Sequence, residues 1–158
     1  MPTLEFETTV AGSLEAVWAF HEDVKTALPA LSPPSASVSI ESADLPVQVG
    51  SRIVVVARGP LGIRLRWVAK IVEHRPPHDV VFGREARFVD EQESGPFKAW
   101  RHEHDFERVD DTHTRVLDRV NYRVRFGPLG WLANVLFVRG QVKAMFQHRH
   151  RALAARWG

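Results

Sequence analysis

Alternation dominates the pattern of apolar and polar positions. Residues 3–10 put Leu4, Phe6 and Thr8 on one face and Glu5, Glu7 and Thr9 on the other. That period of two is what a half-buried strand requires. Residues 37–42 repeat it with Val38 and Ile40 inward, and residues 51–58 form a strand rich in Val and Ile. Gly59-Pro60-Leu61-Gly62 then reads as a hairpin turn. Residues 63–74 direct Ile63, Leu65, Trp67, Ala69 and Ile71 one way, and residues 79–90 do the same with Val80, Phe82, Ala86 and Phe88. A turn is expected over 91–95. The next strand carries Trp100, His102, His104 and Phe106 on one face and Arg101, Glu103 and Asp105 on the other. After a turn at Asp110-Asp111-Thr112, residues 114–125 place Val116, Asp118, Val120, Tyr122 and Val124 together.

Two interruptions have a helical period. Ser13 is placed as an N-cap for residues 14–21, whose inner side carries Val17, Trp18 and Phe20. Residues 22–27 make a second short helix, ended by Pro29. Beyond the break at Gly127-Pro128-Leu129-Gly130, residues 131–156 contain no proline and only Gly140. Leu132, Val135, Leu136, Val142, Met145, Phe146 and Leu153 recur there at helical spacing. They predict one amphipathic helix of roughly seven turns. Short links between successive strands imply an antiparallel sheet. Its apolar face needs a cover, and the long helix is the one element large enough to supply it. The expected fold is therefore α+β: about seven antiparallel strands, two short helices after the first, and a long C-terminal helix.

Composition narrows the function classes. The 158 residues suit one domain, spanning 1–158, and 44% hydrophobic with 25% charged residues is ordinary for a globular protein. Net charge is only +2 because arginines are balanced by acids, so no nucleic-acid partner is expected. The absence of cysteine excludes disulfides, thiolate metal sites and thiol nucleophiles. No apolar run approaches the roughly 20 residues of a membrane span, and the N-terminus lacks a signal-peptide pattern. A cytoplasmic protein, monomeric or homodimeric, is expected. No phosphate-binding loop, dinucleotide fingerprint or nucleophile elbow is present.

Several segments carry a family resemblance: Val17-Trp18-Ala19-Phe20, Phe88-Val89-Asp90, Gly95-Pro96-Phe97, the run from Trp100 to Phe106, then Thr114, Asp118, Val120 and Tyr122, and finally Met145-Phe146 with Arg149. Together they make the whole chain resemble the START-like/SRPBCC superfamily of helix-grip proteins, closest to its polyketide cyclase/dehydratase-like ligand-binding subgroup. The resemblance implies a curved sheet gripping the C-terminal helix, with an elongated cavity between them. It further implies an apolar or aromatic small-molecule ligand, such as a lipid or polyketide, or an enzyme of the cyclase/dehydratase type. The superfamily includes carriers, receptors, enzymes and co-chaperones, so fold alone does not choose.

His102 and His104 project from one face, and Asp118 and Tyr122 share the inward face of the next strand. These four are the candidate polar and catalytic residues. They can act as a structural network, orient the polar end of a ligand, or move protons. Trp18, Trp67, Phe88, Trp100, Phe106, Val120 and Phe146 are candidate ligand-contacting residues, each also suited to core packing. Arg139 and Arg149 fall near the apolar stripe, where one can reach the cavity or both can snorkel to solvent. No metal and no cofactor is expected. The His-x-His pair resembles the cupin pattern, but Glu107 lies on the opposite face from His104, and His148 and His150 lie on a helix. The turn over 59–62 and the loop over 28–34 are expected to flank a cavity mouth.

Overall fold

The computed structural model describes residues 2–77 and 85–158. Strand β1 (Thr3–Val10) leads into helices α1 (Leu14–Glu22) and α2 (Val24–Ala30). Six strands follow: β2 (Ser39–Ala43), β3 (Arg52–Arg58), β4 (Arg64–Arg75), β5 (Glu85–Ser94), β6 (Ala99–Asp110) and β7 (His113–Arg123). The chain ends in helical residues 127–157, made of α3 (Gly127–Ala133), a π-turn (Asn134–Val138) and α4 (Arg139–Trp157). The sheet order is β1-β7-β6-β5-β4-β3-β2, with antiparallel neighbours throughout. The α+β architecture expected from the alternation, and the helix grip implied by the resemblance, are observed, although residues 79–84 of the strand expected over 79–90 lie outside the described residues.

Local chemistry explains most boundaries. The Ser13 hydroxyl accepts from the Ala16 N–H at 3.2 Å and caps α1. Helix α2 does not stop before Pro29. It takes Pro29 into its last turn and ends one residue later, where the Leu31 N–H donates to the Ala27 carbonyl at 2.9 Å. Strand β5 also outruns expectation, extending to Ser94 through residues expected to turn. Their polarity suggested a loop, but Lys70, Ala69 and Val68 of β4 pair with Glu91, Gln92 and Ser94. The reversal falls at Gly95. The Gln92 side chain clasps it, donating to the Phe97 carbonyl at 2.8 Å and accepting from the Phe97 N–H at 3.1 Å.

The C-terminal helix starts at Gly127, four residues earlier than expected, because proline is tolerated in a first turn. A Cβ on Gly130 would fall 1.7 Å from the Arg125 carbonyl oxygen, so only glycine permits this close start. The inner stripe also differs. Val142, Phe146, His150 and Leu153 are buried, whereas Leu132, Val135 and Leu136 are exposed. The π-turn inserts an extra residue and shifts the phase of everything upstream. Asn134 thereby faces the sheet and accepts from the Tyr122 hydroxyl at 2.6 Å. The displaced apolar side chains, with Phe126, Leu129, Trp131 and Phe137, form an exposed surface on α3 and the π-turn.

Two apolar clusters anchor the grip. One joins α1, α2 and the end of α4 to the sheet through Leu14, Trp18, Phe106, Val116 and Leu153. The other joins β1, β6 and β7 to the middle of α4 through Leu4, Trp100, Val120, Tyr122, Val142 and Phe146. Each fully buried side chain of this size contributes about 1.5–3 kcal/mol. In register, Phe106 faces Val116, His104 faces Asp118, His102 faces Val120 and Trp100 faces Tyr122. The polar rungs thus lie between two apolar ones.

Candidate functional site

Strand parity sets which side chains meet. On β5, Phe88 and Asp90 point inward, as do His102 and His104 on β6 and Asp118 on β7. Pairing aligns Asp90 with His102 and Phe88 with His104. Asp118, 1% exposed, is the hub. It accepts from His102 Nε2 at 2.6 Å through Oδ1, and from Arg149 Nε at 3.1 Å and His150 Nε2 at 2.7 Å through Oδ2. A second pair joins His104 Nε2 to Asp90 Oδ2 at 2.7 Å. The rings of His102 and His104 lie 3.5 Å apart, and Phe88 stacks on His104 at 3.8 Å.

The electrostatics follow from burial and charge. Burial would raise the Asp118 carboxyl, but Arg149 and then His102 beside it hold it well below the usual carboxylate range. Asp90 is likewise lowered: burial opposes ionisation most strongly, but the hydrogen bond to His104 and the charges of His104, His102 and Arg149 together outweigh it. Burial, helped by neighbouring His102, pushes His104 down to about 4. The site is therefore an anionic pair, Asp118 buried and Asp90 partly so, braced by the Arg149 guanidinium beside a neutral His104.

Sheet and helix enclose a cavity of about 1220 Å³. Val55, Leu65, Trp67 and Ile71 wall it from the sheet, and Val142 and Phe146 from α4. Asp90, His102, His104 and Arg149 supply a polar stretch of wall. Trp67 meets Trp100 edge-on at 4.8 Å, a geometry that leaves broad aromatic surface along the cavity. Gly59 of the β3–β4 turn, Leu28 in the last turn of α2, and Ser32 and Pro33 of the loop after it also line the cavity, so both segments expected at a mouth contribute to its wall.

Of the residues singled out on sequence, Trp67, Phe88, Trp100, His102, His104 and Phe146 line the cavity. Asp118 lies behind the histidines, and Tyr122 is turned toward Asn134. Trp18 packs on Phe88 and Phe106 in the core, and Val120 is buried. Arg139 is exposed; Arg149 is the arginine that reaches the site. Sequence reasoning missed Asp90 and His150. The parity of Ala86 and Phe88 extends to Asp90 and would have found it. Nothing local marks His150.

His21 is a further buried imidazole at the cavity, on α1. Its Nδ1 donates to the Val17 carbonyl at 2.8 Å, while Nε2 has no hydrogen-bond partner among the described residues. Burial, then the charge of Arg149, lowers it to about 3, with Asp118 opposing and His104 assisting. An unfolded chain binds this proton near pH 6.5, so acid favours unfolding. Stability from this group is complete above pH 6.5 and falls by up to about 1.4 kcal/mol per pH unit below it. His104 acts in the same direction. Urea unfolding between pH 6.5 and 4.5 should show a smaller slope in His21→Met than in the wild type; equal slopes would place His21 in contact with solvent.

Residues 10–151 match the family described as polyketide cyclase / dehydrase and lipid transport. No curated protein matches the chain significantly. Among solved structures, the Zhui aromatase/cyclase from a Streptomyces species superposes with a TM-score of 0.71 at 17% identity, over 98% of this chain and 92% of that one. A START superfamily protein from Mycobacterium smegmatis gives 0.69 at 13% identity, covering 98% and 96%. Norcoclaurine synthase from Thalictrum flavum, solved with a transition-state analogue, gives 0.62 at 16%, covering 99% and 96%. Among the described residues no helix is long and apolar enough to cross a membrane. With its seven-stranded grip on a C-terminal helix and a match over most of its length, the chain belongs to the polyketide cyclase/dehydrase and lipid transport family of START-like (SRPBCC) proteins.

Proposed function

We propose that the protein binds a hydrophobic or aromatic small molecule, lipid- or polyketide-like, between the sheet and the C-terminal helix. The observation that carries this reading is a cavity of about 1220 Å³ with apolar walls and a polar stretch at Asp90, His102, His104 and Arg149. Apolar walls supply affinity, and a few placed polar groups orient the ligand. Native mass spectrometry of the purified protein, followed by organic extraction, should reveal a bound apolar compound. A protein that carries none, and that takes up no fatty acid or polycyclic aromatic at micromolar concentration, would overturn the proposal.

A second reading is cyclase/dehydratase chemistry with His102 and His104 as acid–base groups. It is favoured by the His104–Asp90 pair on the cavity wall. Tyr122, bonded to Asn134, is not among the cavity-lining residues, which leaves Arg149 as the group to polarise a substrate carbonyl. Full turnover by His104→Gln would eliminate this reading.

A further inference from the structure

The polar wall has a property that ligand orientation alone does not use. Asp90 Oδ2 lies 2.7 Å from His104 Nε2 and 3.9 Å from His102 Nδ1. Ligand atoms of all three residues fall within 4.8 Å of one another. Two imidazole nitrogens and one carboxylate oxygen thus converge from the paired strands β5 and β6.

The opposite edge of the His102 ring fits the same purpose. His102 Nε2 donates to Asp118 Oδ1 at 2.6 Å. His104 Nδ1 lies 3.4 Å from that same oxygen. A metal-bound imidazole directs its remaining N–H to a carboxylate, which fixes tautomer and ring orientation. His104 Nδ1 meets Arg149 Nη2 at 3.5 Å as well, so it is the His102 ring that Asp118 orients. Asp118 is itself held by Arg149 and His150, so it orients a ligand without being one. The charges agree as well. Two carboxylates face one guanidinium, an excess of negative charge that a dication would offset.

We infer that Asp90 Oδ2, His102 Nδ1 and His104 Nε2 form a three-ligand site for a divalent first-row transition metal, with Asp118 as the orienting carboxylate behind it. The donor set selects the class. Mixed nitrogen and oxygen ligands without thiolate suit ions such as Fe²⁺, Co²⁺ or Zn²⁺, whereas Ca²⁺ and Mg²⁺ prefer oxygen alone. All three ligands line the cavity, so the remaining coordination positions open toward it. A metal here would meet a polar oxygen of whatever the cavity holds. Asp90 is the third ligand that the His-x-His pair lacked on sequence alone. Coordination would occupy the nitrogen lone pair that acid–base work by His104 needs. The ligand-binding proposal is independent of it.

The test uses the full chain, stripped of metal by chelator dialysis and titrated with Co²⁺. One Co²⁺ per chain is expected at micromolar affinity, with visible ligand-field bands. In the Asp90→Asn variant, affinity should fall at least tenfold, circular dichroism confirming the fold. The exchange-protected imidazole N–H resonance of His102 should be paramagnetically shifted in the wild-type Co²⁺ form, which decides the matter even if the variant does not fold. Absence of stoichiometric binding, equal affinity in Asp90→Asn, or absence of that resonance would overturn the inference. Ligand uptake measured on the metal-free protein separates this outcome from failure of the binding proposal.

Discussion

Replacing Asp118 with alanine is expected to lower the unfolding free energy by about 3–5 kcal/mol, the range for breaking a buried ion pair from one side. The carboxylate is the common acceptor of His102, Arg149 and His150. Its removal leaves the Arg149 guanidinium, with a side chain only 12% exposed, without its charged partner. Two imidazole donors lose their acceptor at the same time. Urea unfolding at neutral pH measures the loss. The double variant Asp118→Leu with Arg149→Met should recover part of it, because it removes both charges and replaces them with apolar volume. A loss below about 1 kcal/mol, the scale of an exposed ion pair, would mean that water reaches the network.

Filling the cavity should abolish ligand uptake with little effect on the fold. Ala69 lines the cavity from β4 beside Trp67 and Ile71. In Ala69→Trp the indole would occupy cavity space, where overpacking strain is small. Affinity for anilinonaphthalene sulfonate, followed by fluorescence, is expected to fall about 100-fold, or about 2.7 kcal/mol. The thermal midpoint should stay within a few degrees of the wild type. Unchanged affinity would place the probe on the exposed apolar surface of Trp131, Leu136 and Phe137 instead.

Strand faces were legible because side-chain parity is local. Leu65, Trp67, Ala69 and Ile71 share a face by alternation, and all four line the cavity. Boundaries were less legible where pairing or sterics overrode composition. Polar residues Glu91 to Ser94 extend β5 because β4 pairs with them. Helix α3 begins at Gly127 because Gly130 allows the close approach to Arg125. The C-terminal stripe failed for Leu132, Val135 and Leu136 because helical phase accumulates, and one π-turn rotates everything before it.

By itself the sequence determined the seven-stranded alternation, the covering helix, the family resemblance and the placing of His102 and His104 on an inward face. It also placed Asp118 on the inward face of the neighbouring strand. Tertiary structure alone decided that Asp90 meets His104, that Arg149 rather than Arg139 reaches Asp118, and that His150 completes the hub. It also decided that Trp18, Phe106 and Val120 belong to the core. The physical reason is range. Parity and periodicity act between residues two to four apart, whereas the site joins positions on three strands and a helix that only sheet register and helix phase bring together.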